Sequence, residues 1–145
     1  GTLEDNMSRL KFSDVEVLPF AISDTEGEVE FLVSEDDTMA GSLTQRRKFR
    51  GENIQPIKVQ TRRLREYLNE PIDFIKMDIE GSECFALQGA SHTLNTADAI
   101  AVAAYHRINN DGDKSFRHVM SMLESKGFIT ILEQGHDGEL VYGNR

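Results

Sequence analysis

Residues 72–83 read IDFIKMDIEGSE, and the fold turns on this stretch. It opens as a buried strand and closes as a cluster of charge. Strand alternation puts Lys76, Asp78 and Glu80 on one face and Ile75, Met77 and Ile79 on the other. Gly81 lets the chain turn sharply. Ser82 is placed to cap a new helix, and Glu83 falls in its first turn, where the helix dipole favours negative charge. Charges crowded at the C-terminal end of a buried strand are costly unless paired or hydrogen-bonded. Ligands of open α/β sheets bind at that end of the strands, so a functional site is expected here.

Outward from this stretch, strands alternate with helices. Residues 3–10 and 115–125 carry apolar residues at helical spacing. Strands are expected at 15–22, interrupted by Pro19, and at 28–33, 54–60, 99–104, 128–132 and 139–142. The tract at 35–50 has no clear period and reads as a loop. Thr61 is expected to cap a short helix striped by Leu64, Tyr67 and Leu68. The segment AIAVAA at 99–104 is apolar on both faces, as in a strand covered by helices on both sides. The last two strands and the Gly-rich turn between them read as an antiparallel hairpin. The order specifies one α/β domain over residues 1–145, with a mainly parallel sheet and that hairpin at its end.

Composition narrows the function. The chain has 145 residues, 28% of them charged, and a net charge of −9. That balance disfavours nucleic acid, which needs clustered positive charge; the run QRRKFR at 45–50 is the exception. No apolar run is long enough to span a membrane. The single cysteine, Cys84, excludes an internal disulfide and fits a reducing, cytoplasmic setting. His92, His118 and His136 have no partner at metal-ligand spacing, so no metal site is expected of them.

Residues 73–83, DFIKMDIEGSE, followed by Leu87 and Gly89-Ala90, resemble the signature stretch of the FkbM family of S-adenosylmethionine-dependent methyltransferases. Flanking segments agree: residues 20–24 with Gly27 look like the family's third strand and turn, and residues 104–107 (AYHR) look like the end of its fifth. The resemblance implies a Rossmann-like methyltransferase sheet. It also implies that the chain starts after the family's first two strands, which carry the Gly-rich turn and the ribose-binding acid. A chain so placed exposes an edge of its central strand, an invitation to a homodimer, and binds the cofactor weakly.

The same resemblance assigns roles. Asp78 stands near the sulfonium. Ala21, Ser23 and Asp24 meet the adenine side of S-adenosylmethionine, although turn chemistry alone also explains SDTEG. His106 is the candidate base, because an imidazole titrates near neutral pH, and it is equally read as a hydrogen-bonded strand-end residue. Glu80, Glu83 and Tyr105 face a small-molecule hydroxyl, that of a sugar or metabolite. Lys76 either takes part or pairs with the carboxylates. Two other readings stay open. Asp78, Glu80 and Glu83 are hard oxygen ligands suited to Mg²⁺ in a phosphate enzyme, and an inactive α/β binding module has the same pattern.

Overall fold

The computed structural model describes residues 14–34, 41–43, 54–68, 70–105, 115–136 and 138–145. They form two four-stranded sheets and two α-helices. The strands are β1 (Ala21–Ile22), β2 (Gly27–Ser34), β3 (Gly41–Leu43), β4 (Ile54–Arg62), β5 (Ile72–Met77), β6 (Ala97–Ala103), β7 (Ile129–Gln134) and β8 (Glu139–Asn144). The helices are α1 (Glu83–Gly89) and α2 (Ser115–Glu124), with 3-10 turns at Leu64–Glu66 and Thr93–Asn95. The expected helix at 3–10 and most of the loop at 35–50 lie outside the described residues.

The second sheet, in the order β5-β6-β8-β7, carries the core. β5 runs parallel to β6, from Ile72 opposite Ala97 to Met77 opposite Val102. β8 and β7 add the expected antiparallel hairpin. Alternation aligns Ile75, Ile100 and Gly143 in one row and Met77, Val102, Val141 and Leu132 in the next. On that face Leu87, Ala90 and Leu94 and the α2 residues Val119 and Leu123 close a single apolar cluster. Full burial of each Leu or Ile there stabilises by roughly 1.5–3 kcal/mol. Arg145 fixes the chain end to this body. Its guanidinium donates to the carbonyls of Leu94 (2.6 Å), Asn95 (2.9 Å) and Lys126 (2.9 Å), with its carbon 4.8 Å from the centre of the Phe128 ring.

The other face of this sheet differs from expectation. Phe74, Ala99, Ala101, Tyr142 and Ile131 share it, and Phe74 and Ile131 are each 56% exposed. Among the described residues no helix covers them. The apolar run around Ala101 is apolar on both sides, yet the helices pack on one. β5 is an edge strand, with β6 as its neighbour among the described residues.

The first sheet has the order β1-β4-β2-β3. β2 and β4 form a long antiparallel ladder from Gly27 opposite Thr61 to Ser34 opposite Ile54. The expected strand at 15–22 shrinks to Ala21–Ile22, because Pro19 offers no backbone donor and the chain bends at 19–20. β1 then pairs in parallel with the end of β4. Thr61 caps no helix: it is the penultimate residue of β4, and its hydroxyl donates to the Gly27 carbonyl at 3.3 Å. Arg63 opens the 3-10 turn that replaces the expected helix. Parallel pairing is confined to β1–β4 and β5–β6 among the described residues.

The two sheets meet at Gly89. Any side chain there would collide with the carbonyl group of Ser23, its Cβ 2.5 Å from the carbonyl carbon. The glycine at the end of α1 is a contact requirement, since the helix lies backbone to backbone on the turn after β1. Gly89→Ala is therefore expected to push the sheets apart and cost roughly 1–3 kcal/mol, the range for overpacking. A fall in the midpoint of thermal unfolding checks this; an unchanged midpoint contradicts the contact.

A second contact ties the turn at 24–27 to the segment after β4. The Glu26 and Glu66 carboxyls share a hydrogen bond, with Arg62, Arg63 and Arg65 around them. The bond from Glu66 holds Glu26 below its ordinary value, and the same bond to Glu26 raises Glu66. The pair titrates as a unit. A lowered acid stabilises the fold above its unfolded pKa and loses this as pH falls. A raised acid stabilises it at low pH and loses this as pH rises through the folded value. Carboxyl-selective NMR titration is expected to show one step on each side of the ordinary glutamate range, and Glu66→Gln is expected to abolish the upper one.

Candidate functional site

The turn from β5 into α1 builds the site. β5 ends at Met77, so strand alternation stops before Asp78, which is exposed. The Ser82 N–H donates to the Ile79 carbonyl at 3.3 Å, closing a four-residue turn. Both central residues have positive φ, Glu80 at 56° and Gly81 at 99°. That pair is the signature of a type I′ turn, which glycine enters freely and glutamate does not. Glu80 is thus held in the left-handed region, at a cost of about 1–2 kcal/mol.

Glu83 holds the turn. It is 0% exposed, and its Oε1 accepts from the Gly81 N–H at 2.9 Å. Ser82 is the N-cap, but its side chain makes no capping bond. The reach back from the first residue of α1 does that task. Glu83 was expected to face substrate; in the structure it is buried, with Oε1 on the backbone of the turn. The Ser82 carbonyl accepts the first helical bond, from Ala86 at 3.0 Å.

The remaining expected residues fall into separate groups. Lys76 is exposed on the open face of the sheet, opposite Ala101. Ala21, Ser23 and Asp24 form a unit at the end of β1. The Ser23 N–H donates to the Arg62 carbonyl at 3.0 Å, its hydroxyl to Asp24 Oδ1 at 3.1 Å, and Arg63 Nε to the Asp24 carbonyl at 2.8 Å. This unit touches the C-terminal end of α1, while Asp78 and Glu80 precede its N-terminal end. The seven-residue helix spans about 10 Å at 1.5 Å per residue. His106 lies outside the described residues.

Tyr105 follows β6 and is half-buried. The hairpin turn between β7 and β8 lies against it, so closely that a Cβ on Gly138 would come within 2.6 Å of the ring's Cγ. The Ala104 N–H donates to the Glu139 carbonyl at 2.9 Å and the Gly135 N–H to Gly138 at 2.8 Å. This wall escaped the sequence reading. The glycines announced a turn but not what the turn touches. Among the described residues no three His, Cys, Asp or Glu side chains are grouped to hold a metal ion, so Asp78, Glu80 and Glu83 do not form the Mg²⁺ trio considered above.

These placements separate structure from chemistry. Glu83→Ala is expected to strand the Gly81 N–H and destabilise by about 1–3 kcal/mol. Asp78→Asn, at an exposed position, is expected to change stability by less than about 0.5 kcal/mol. Denaturant unfolding of the two variants tests the division, and equal losses would contradict it.

The fold and the turn agree with what comparison finds. The model of the FkbM methyltransferase domain matches residues 3–130. The crystal structure of the methyltransferase FkbM from Methylobacillus flagellatus KT is similar, with a TM-score of 0.61 at 19% identity, over 97% of this chain. That likeness is one of fold. The chain spans about a third of that protein, 32% of its length. No curated protein matches the chain closely enough to count as a relative. With the family model covering most of its length, the chain belongs to the FkbM methyltransferase domain family.

Proposed function

We propose that the protein is an S-adenosylmethionine-dependent methyltransferase acting on a hydroxyl of a sugar or small metabolite. One observation carries the reading beyond the family: Glu80 is kept at a φ of 56°, at the C-terminal end of β5, where glycine would be free of strain. Strain of this kind persists where a side chain is needed in that place. Family membership supports the reaction class.

The residues present suit the cofactor. Asp24 is a carboxylate acceptor for an adenine amine, and the exposed Asp78 is an anion for a sulfonium. S-adenosylmethionine supplies an electrophilic methyl group on a positively charged sulfur. Ala21, Ser23 and Asp24 hold the adenosine side. Asp78 stabilises the cation and orients it. Glu80 and Tyr105 bind the acceptor hydroxyl, and His106 takes its proton as the new bond forms. Lys76 supplies a positive charge on β5 ahead of the carboxylates at 78 and 80. Among the described residues no helix is long and apolar enough to cross a membrane. The single cysteine, Cys84, supports a cytoplasmic location. The edge of β5, unpaired among the described residues, supports association of two copies.

Transfer of labelled methyl groups to a panel of sugars and small hydroxyl metabolites, by the full-length protein, tests the reaction. Glu80→Gly is expected to leave the unfolding midpoint unchanged or higher while lowering kcat at least about tenfold, the pattern of a residue held at a cost to stability. Loss of midpoint with activity retained per folded molecule would make Glu80 a structural residue. No transfer to any acceptor would count against the reaction.

A further inference from the structure

Behind α1, on the side away from Asp78, lies an open groove of about 270 Å³. Arg63, Arg65, Gln88, His92, Asn95 and Lys126 line it. Among the described residues no carboxylate lines it. This is unusual in a chain of net charge −9. The usual reason for cations at helix ends is to satisfy the last carbonyls. Here Arg145 already does so, bonding Leu94, Asn95 and Lys126. Lys126 is in no salt bridge among the described residues, and Arg65 is near the Glu26 and Glu66 carboxyls without a salt bridge to either. Arg63 spends its Nε on the Asp24 carbonyl, which fixes the guanidinium at the rim.

We propose that this groove binds a phosphate-type oxyanion, free or carried by a small molecule. Two arginines offer fork-shaped donors that match tetrahedral oxyanions, and a lysine adds a point charge. Gln88 and Asn95 add neutral donors. The volume lies just below the usual range for ligand pockets, about 300–1,000 Å³, which suits an anionic group and not a large ligand. The net negative charge of the chain repels a long polyanion at a distance, whereas a small dianion reaches the groove once close. The groove is separate from the methyl-transfer site and does not depend on it. It touches the cofactor side through Gly89, which both lines the groove and carries the Ser23 contact.

The test is titration of the intact chain with inorganic phosphate, pyrophosphate and a short single-stranded RNA, followed by calorimetry and by NMR shift mapping. Saturable pyrophosphate binding is expected, weakened by salt, with shifts at His92 and Asn95. The double variant Arg65→Ala/Lys126→Ala is expected to lose about tenfold or more in affinity, as removal of charge-assisted bonds predicts. Arg62→Ala is expected to bind as before, because Arg62 faces Glu26 and does not line the groove. Pyrophosphate binding tighter than phosphate supports a phosphate-bearing ligand, and equal binding supports the free anion. No saturation by about 10 mM, where binding is below roughly 3 kcal/mol, overturns the proposal. So does binding unchanged in the double variant, or RNA bound more tightly than pyrophosphate.

Discussion

The hydrogen bond from the Gly81 N–H to Glu83 Oε1 sets the direction of almost everything after β5. A strand that ends in two consecutive left-handed residues reverses sharply, and without a brace the strained member relaxes. The buried Glu83 carboxyl is that brace, through the Gly81 N–H bond to its Oε1. It is also an expensive one, since a polar group must be kept out of water. The chain accepts that cost at one position. In return α1 starts at a fixed angle and lays Ala86, Leu87 and Ala90 over the sheet.

From the direction of α1 the rest follows by contact. Its last residue has no side chain, so the turn after β1 seats directly on its backbone. The first sheet thus reaches the second through the end of a short helix. The bonds of Ser23 to Arg62 and of Arg63 to Asp24 hold that turn to β4 as a single piece. Asp24 and Asp78 therefore keep a separation set by the length of α1.

What the sequence showed depended on whether one face or one neighbour decided the matter. α2 was legible because Phe116, Val119, Met120 and Leu123 form a stripe that only a helix makes. The hairpin was legible because turn chemistry is local. β5 and its charged end were legible for both reasons. The segment after Thr61 was not: its helical stripe is real, but pairing with Gly27 draws Thr61 and Arg62 into β4 and leaves three residues for a 3-10 turn. Tertiary pairing outweighed local propensity there. The alanine-rich β6 misled for another reason. Alanine is apolar without demanding cover, so Ala99 and Ala101 sit half-exposed on the open face as comfortably as inside.

The site divides in the same way. The type of residue at 76–83 announced chemistry, and the structure puts Asp78 and Glu80 in the turn between β5 and α1. Which of the two acids braces the turn was invisible, because both are glutamates three apart in the chain. Geometry separates them. Glu80 sits inside the turn, where its backbone is strained and its side chain half-buried. Glu83 sits one residue past the cap, the first place from which a side chain can reach back to the turn's own N–H. A shorter acid at 83 falls short of that N–H, and an uncharged one weakens the bond. A glycine at 80 removes the strain the brace exists to hold. The two glutamates are thus coupled through one backbone: Glu83 is worth its burial only while residue 80 needs to be held left-handed, and Glu80 can stay left-handed only while Glu83 holds Gly81.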